Sequence, residues 1–248
     1  MESPPGRSPS SSTGRVLGRR QVFGLAGVAA VGAVGALVLG PRRDWSGLVA
    51  SSTPAAASDA AVTSAAPAVP VRRGVAVLGD SIAYQGDAAI RAAIGASIGA
   101  AEPLSVVGRS GYTISQLLPD AEAAALAHPA SVVIELGTND ALQAVPGADS
   151  VVAYDSILAL FPGADIVAVT VSTDFGDAAC RTRAQAINDH IRASGVAVAD
   201  WDGAVRSELA AGWPHGAITV DFVHPSARGQ RVLAALIAGA LPGSAPTA

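Results

Sequence analysis

From residue 73 onward, short apolar runs alternate with helical patterns, and this alternation limits the fold more than any other feature of the chain. Runs at 74–78, 104–107, 131–136, 165–171 and 196–199 are rich in Val and Ala and bounded by Gly or Pro, which predicts strands. Helical spacing covers 87–98, 114–127, 151–160, 178–193 and 226–240, with Thr113 or Ser115 as the cap of the second of these. Such strands suit a parallel sheet buried on both faces. Strict βα order predicts an α/β domain: a three-layer αβα, doubly wound parallel sheet of about five strands. Ligands then bind beyond the carboxyl ends of the strands. Gly79-Asp80-Ser81, Gly108-Arg109-Ser110-Gly111 and Gly137-Thr138-Asn139-Asp140 all fall at that edge.

The alternation occupies only part of the 248 residues. Residues 1–20 are polar and basic, and Val22 to Gly40 carries no charge. Arg19-Arg20-Gln21-Val22-Phe23 resembles a twin-arginine export signal. Residues 1–43 are therefore expected to act as an export signal or as an uncleaved membrane anchor. Four Arg before the apolar run against two after it favour an N-terminus-in orientation. The alternative is a buried Ala/Gly helix of the fold. Residues 44–72 are rich in Ala, Ser, Thr and Pro, a composition that makes a flexible linker and no core. The globular domain is expected over 73–242, with 243–248 as a tail.

Composition excludes several function classes. All 16 basic residues are Arg, and aromatic residues make up only 4% of the chain. Residues 1–70 have a net charge of +3 and residues 71–248 a net charge of −7. An acidic domain without a basic patch argues against nucleic-acid binding. Cys180 is the single cysteine, so no intrachain disulfide can form and no zinc-ligand spacing exists. No cofactor motif is present: Gly-Asp-Ser-Ile-Ala after the first strand is not a phosphate-cradling loop.

The chemistry-bearing residues are split along the chain. Ser81 follows an apolar run and can stand at the top of a strand, while Asp221-Phe222-Val223-His224 offers a base and a carboxylate far downstream. Serine attack on an acyl carbon needs a base near the hydroxyl, a group that holds the base's tautomer, and donors for the oxyanion. Taken singly, Ser81 also suits a helix cap, Asn139 a turn, and His224-Pro225 a loop.

Four blocks in order carry a resemblance. Val77-Leu78-Gly79-Asp80-Ser81, Val107-Gly108-Arg109-Ser110-Gly111-Tyr112-Thr113, Gly137-Thr138-Asn139-Asp140 and Asp221-Phe222-Val223-His224-Pro225 resemble the marker blocks of the SGNH hydrolases, also called GDSL-type esterases or lipases. The likeness covers roughly residues 74–240 and implies the flavodoxin-like fold of that family. It implies Ser81 as nucleophile, His224 as base and Asp221 as its orienting carboxylate. It also implies an oxyanion hole made of the Ser81 N–H, the Gly111 N–H and the Asn139 amide, with Gly108 as the alternative glycine. No cofactor and no metal are implied. The expected activity is an exported serine esterase acting on a small-molecule or glycan ester. A carbohydrate O-acyltransferase or O-deacetylase would use the same site, because hydrolysis and transfer share the acyl-enzyme. A non-enzymatic flavodoxin-like binding module is the remaining alternative. Membrane contact is expected only through the N-terminal apolar segment.

Other residues have plainer roles. Gly95-Ala96-Ser97-Ile98-Gly99 matches a nucleophile-elbow pattern but lacks a preceding strand, so Ser97 reads as helix-end sequence. His128 suits a helix C-terminus, and His190 suits a surface position. His215 precedes the last block and is a candidate pocket residue. Asp80 and Asp140 read as capping carboxylates, Glu135 has no assigned role, and Cys180 reads as structural.

Overall fold

The computed structural model describes residues 71–99 and 101–243. The expected export signal or anchor, most of the linker and nearly all of the expected tail therefore lie outside the described residues. Among the described residues no helix is long and apolar enough to cross a membrane.

Five parallel strands form one sheet: β1 (Val75–Gly79), β2 (Leu104–Gly108), β3 (Ser131–Glu135), β4 (Asp165–Val169) and β5 (Ala197–Ala199). Their spatial order is β2-β1-β3-β4-β5. Chain direction across the sheet reverses at β1, so the ends of β1, β2 and β3 open onto one crevice. The register sets Gly79 beside both Gly108 and Glu135, which brings three of the four sequence blocks to that edge.

Side-chain alternation along each strand divides the interior in two. Leu78, Val132, Ile134 and Ala168 face one core with residues of α2 (Ile114–Ala125), α4 (Gly147–Ala159) and α5 (Ala178–Ala193). Val77, Val133, Val167 and Val169 face the other with residues of α1 (Ser81–Ile98), α6 (Trp201–Ala210) and α8 (Ala227–Ala240). This is the three-layer arrangement that βα alternation predicts. Aliphatic side chains dominate both cores, with Trp201, Tyr154, Phe161 and Phe175 as the buried aromatics among the described residues.

The element boundaries differ from expectation in instructive ways. The first helix starts at Ser81 rather than 87, because the Asp80 carboxylate caps it by accepting the Ile82 N–H at 2.9 Å. The capping residue of α2 is Thr113, whose N–H donates to the Gln116 side chain at 2.9 Å. Ser226 caps α8 by accepting the Gly229 N–H. Three helices went unread: α3 (Thr138–Leu142), α6 and α7 (His215–Ile218). Two of these are single turns, too short to show a period, and Gly203 interrupts the pattern of α6.

Candidate active site

Ser81 is the first residue of α1, directly beyond the end of β1. Its side chain projects from the N-terminus of an 18-residue helix, where the helix dipole favours negative charge. Gly79 is required at the turn. A Cβ there would lie 2.4 Å from the Ala83 Cβ and 2.9 Å from Glu135 Oε2.

His224 and Asp221 sit on a loop closed by an antiparallel bridge between Thr219 and Pro225. The Val220 N–H donates to the His224 carbonyl at 2.9 Å, and the Ser226 N–H donates to the Ile218 carbonyl at 2.8 Å. Inside the loop, Asp221 Oδ1 accepts the N–H groups of Val223 and His224 at 3.1 and 2.7 Å. Its other oxygen, Oδ2, lies 2.8 Å from His224 Nδ1. One short carboxylate thus folds the loop and fixes the ring. The tight loop forces Phe222 to φ +67°, a left-handed conformation disfavoured for a bulky residue.

The two segments meet. Ser81 Oγ lies 2.9 Å from His224 Nε2, 143 residues apart in sequence. A continuous chain of hydrogen bonds therefore runs from Ser81 through the imidazole to Asp221. Partial burial pushes the Asp221 carboxyl up, but the hydrogen bonds from the His224 ring, the His224 N–H and the Val223 N–H outweigh it. Its pKa lies below the usual carboxylate range.

Asn139 is the second residue of α3, which begins at the end of the β3 turn. Gly137 makes that turn at φ +115°, and a Cβ there would come within 2.9 Å of Val171. Asn139 is 8% exposed, and its Nδ2 donates to Asp80 Oδ2 at 3.1 Å. Gly111 adopts φ +81°, and its carbonyl accepts the Gln143 side-chain amide at 2.7 Å. This pins the glycine turn to the residue that follows α3. A Cβ on Gly111 would meet nothing within 4 Å, whereas one on Gly108 would lie 2.5 Å from the Tyr84 nitrogen. Gly108 is thus a packing glycine, and Gly111 borders open space.

Two buried carboxyl groups lie behind the serine. Asp80 caps α1 and holds Asn139, and Glu135 Oε2 accepts the N–H groups of Ala83 and Asp80 at 3.1 and 3.4 Å. Burial lifts Asp80 to about 6, with Asp140 adding to the rise, while the Ile82 N–H, the His224 ring and Glu135 oppose it. Burial and the neighbouring Asp80 hold Glu135 well above its ordinary value. Asp140 accepts the Ile114 N–H and the Ser150 hydroxyl, joining α3 to the starts of α2 and α4. Sequence reasoning saw Asp80 and Asp140 as caps but missed the link to Asn139. The available signal was Glu135 itself, an acid closing an otherwise apolar strand.

The remaining singled-out residues fall outside this cluster. Ser97 lies near the C-terminal end of α1. His215 Nδ1 sits 2.7 Å from Asp174 Oδ2, its ring is tilted against Phe222 at 4.9 Å, and its carbonyl accepts the Thr219 N–H at 3.0 Å, so it borders the loop while its imidazole pairs elsewhere. His190 pairs with Asp155, and His128 follows α2 at φ +48°. Cys180 is buried in the first turn of α5, with Arg183 donating to its sulfur at 3.3 Å.

Comparison with known proteins agrees with this architecture. The model of the GDSL-like Lipase/Acylhydrolase family matches residues 77–232, more than half of the chain. No curated protein matches. Among solved structures, the C-terminal catalytic domain of Streptococcus pneumoniae peptidoglycan O-acetyltransferase A is 21% identical. It covers 69% of this chain and 94% of its own, with a TM-score of 0.54. An acetyl xylan esterase from Geobacillus stearothermophilus is 19% identical, covering 71% and 97%, with a TM-score of 0.55. A G-D-S-L family lipolytic protein from Veillonella parvula is 16% identical, covering 66% and 94%, with a TM-score of 0.56. At such identities these likenesses establish the fold.

Proposed function

The chain belongs to the GDSL-like lipase/acylhydrolase family, and from that premise we propose that it is an exported serine esterase working through an acyl-serine intermediate. The observation that carries this is the hydrogen-bonded chain Ser81–His224–Asp221. The Ser81 hydroxyl donates to His224 Nε2, and Nδ1–H donates to Asp221. As Ser81 Oγ attacks the acyl carbon, its proton passes to Nε2, and the imidazolium then gives it to the leaving alcohol. Asp221 holds the tautomer and stabilises the ring's charge without taking the proton. Water repeats the sequence on the acyl-serine. The oxyanion is held by the Ser81 N–H at the start of α1, the Gly111 N–H and the second amide hydrogen of Asn139. Incubation of the purified protein with a fluorophosphonate tests this: stable labelling of Ser81 together with ester hydrolysis supports it, and an inert protein refutes it.

A second reading, an O-deacetylase or O-acyltransferase acting on a glycan, is favoured by exposed rings on the segments that carry the site. Tyr84 lies one turn after Ser81, Tyr112 follows Gly111, and Phe222 stands between Asp221 and His224. Flat exposed rings suit the faces of sugars better than they enclose a long acyl chain. Peptidoglycan and xylan chemistry among the structural neighbours supports the same choice. Release of acetate from acetylated glycans, compared with p-nitrophenyl esters of rising chain length, separates the two. The export part of the proposal rests on Arg19-Arg20 and the apolar run after them. Replacing both Arg by Lys is expected to trap the protein in the cytoplasm, and unchanged export would refute the twin-arginine route.

A further inference from the structure

Asp80 and Glu135 are buried acids that the ester chemistry above does not use, being 0% and 4% exposed. They meet behind the nucleophile turn, where Glu135 Oε2 accepts the Asp80 N–H at 3.4 Å, and a hydrogen bond between the two side chains lowers the pKa of Asp80 and raises that of Glu135. Two ionised carboxylates cannot share such a site without strong repulsion, and a hydrogen bond between them needs one proton. The bonding pattern indicates which acid keeps it. Both oxygens of Asp80 are occupied by N–H donors, Oδ1 by Ile82 and Oδ2 by the Asn139 amide, as suits an ionised carboxylate. Glu135 meets its two N–H donors, Ala83 and Asp80, through Oε2 alone, leaving its other oxygen to carry a proton.

We propose that Glu135 is the protonated member and donates to Asp80, and that ionised Asp80 is a positioning residue fixing the Asn139 amide with its second N–H toward the reacting carbonyl. The proposal rests on Asn139 acting as an oxyanion donor. An amide can present either its N–H or its carbonyl oxygen to a cleft, and the two rotamers are nearly equal in shape. A carboxylate at Oδ2 accepts only the N–H side. Burial and the repulsion between the two acids, which hold Glu135 well above its ordinary value, support the assignment. Through Glu135, the end of β3 also fixes the N–H groups of Asp80 and Ala83, so one acid pair ties the nucleophile turn to the oxyanion donor.

Isosteric amides test the assignment, because they separate the two protonation states. Gln at 135 can accept from both N–H groups through its oxygen and donate to Asp80 through its nitrogen, reproducing the protonated acid. Asn at 80 cannot accept on both sides, so either the Ile82 cap or the Asn139 contact is lost. With p-nitrophenyl acetate, Asp80→Asn should lower kcat roughly 100-fold with KM within about three-fold, the signature of a lost transition-state donor. Adding Asn139→Ala to it should cost little more. Glu135→Leu should be similarly impaired, and Glu135→Gln should restore kcat to within about three-fold of wild type. If Glu135→Leu does not fold, the two amide variants and an infrared comparison decide. The spectrum of wild type minus Glu135→Gln at neutral pH should contain the C=O stretch of a protonated carboxylic acid.

Full activity of Asp80→Asn together with loss in Glu135→Gln would overturn the proposal, because the charge would then sit on Glu135. Absence of the infrared band would overturn it as well. A wild-type protein inert to both ester and fluorophosphonate would instead defeat the esterase reading, and the infrared result would still decide the protonation state.

Discussion

At the residue scale, the site depends on donors and acceptors held by very short links. Asn139→Ala should reduce kcat roughly 100-fold with little change in KM, the usual loss for one oxyanion donor. A change confined to KM would mean that Asn139 contacts only the ground state. The buried acids give a prediction about stability. Asp80 titrates in the fold at about 6, above its unfolded value. The fold therefore binds its proton more tightly than the unfolded chain, and this contribution to stability is full below pH ~4 and lost as pH rises through about 6. The melting temperature of Asp80→Asn relative to wild type should consequently be more favourable at pH 8 than at pH 4. Asp221 behaves oppositely: its pKa is depressed, so its contribution is present above the unfolded value and fades as pH falls through the folded one. A pH-independent difference for Asp80→Asn would show that the Asp80 pKa is the same in the folded and unfolded chain. Ser81, Asn139, Asp221 and His224 were legible in the sequence as candidate site residues because each lies in a short block of fixed spacing. The Asp80–Glu135–Asn139 network was not, because its members come from three elements that only the β1–β3 register brings together.

At the scale of elements, the strands were legible and the short helices were not. Each strand is an uncharged Val/Ala run, except where Glu135 closes β3 and Asp165 opens β4. Burial on both faces leaves little ambiguity about such runs. The start of α1 was misread because Gly86 and Asp87 weaken the helical pattern, while the true signal was the Asp80 cap. The single turns α3 and α7 are set by their surroundings, and α3 exists because Gly137 turns the chain at φ +115° against Val171 and Ile187. Gly137→Ala should therefore destabilise the fold by about 1–3 kcal/mol in chemical denaturation, from backbone strain and the clash with Val171. It should also lower kcat by shifting Asn139. Wild-type stability would show that the β3–α3 turn can relax without glycine.

At the scale of the whole molecule, one parallel sheet with a core on each face brings residues 143 positions apart into hydrogen-bond contact. All residues of the hydrogen-bonded site lie between 80 and 224, within the segment that matches the family. A chain beginning at residue 70 is accordingly expected to fold and to hydrolyse a short ester as well as the full-length protein. Failure to fold would assign the 22–40 apolar run to the domain. The most direct test of the account is identification of the residue modified by a fluorophosphonate. The account predicts a single labelled peptide containing Ser81. Ser81→Ala and His224→Ala should abolish both labelling and ester hydrolysis with the fold intact, and Ser97→Ala should keep most activity. A labelled peptide containing Ser97, or an active Ser81→Ala protein, would contradict it.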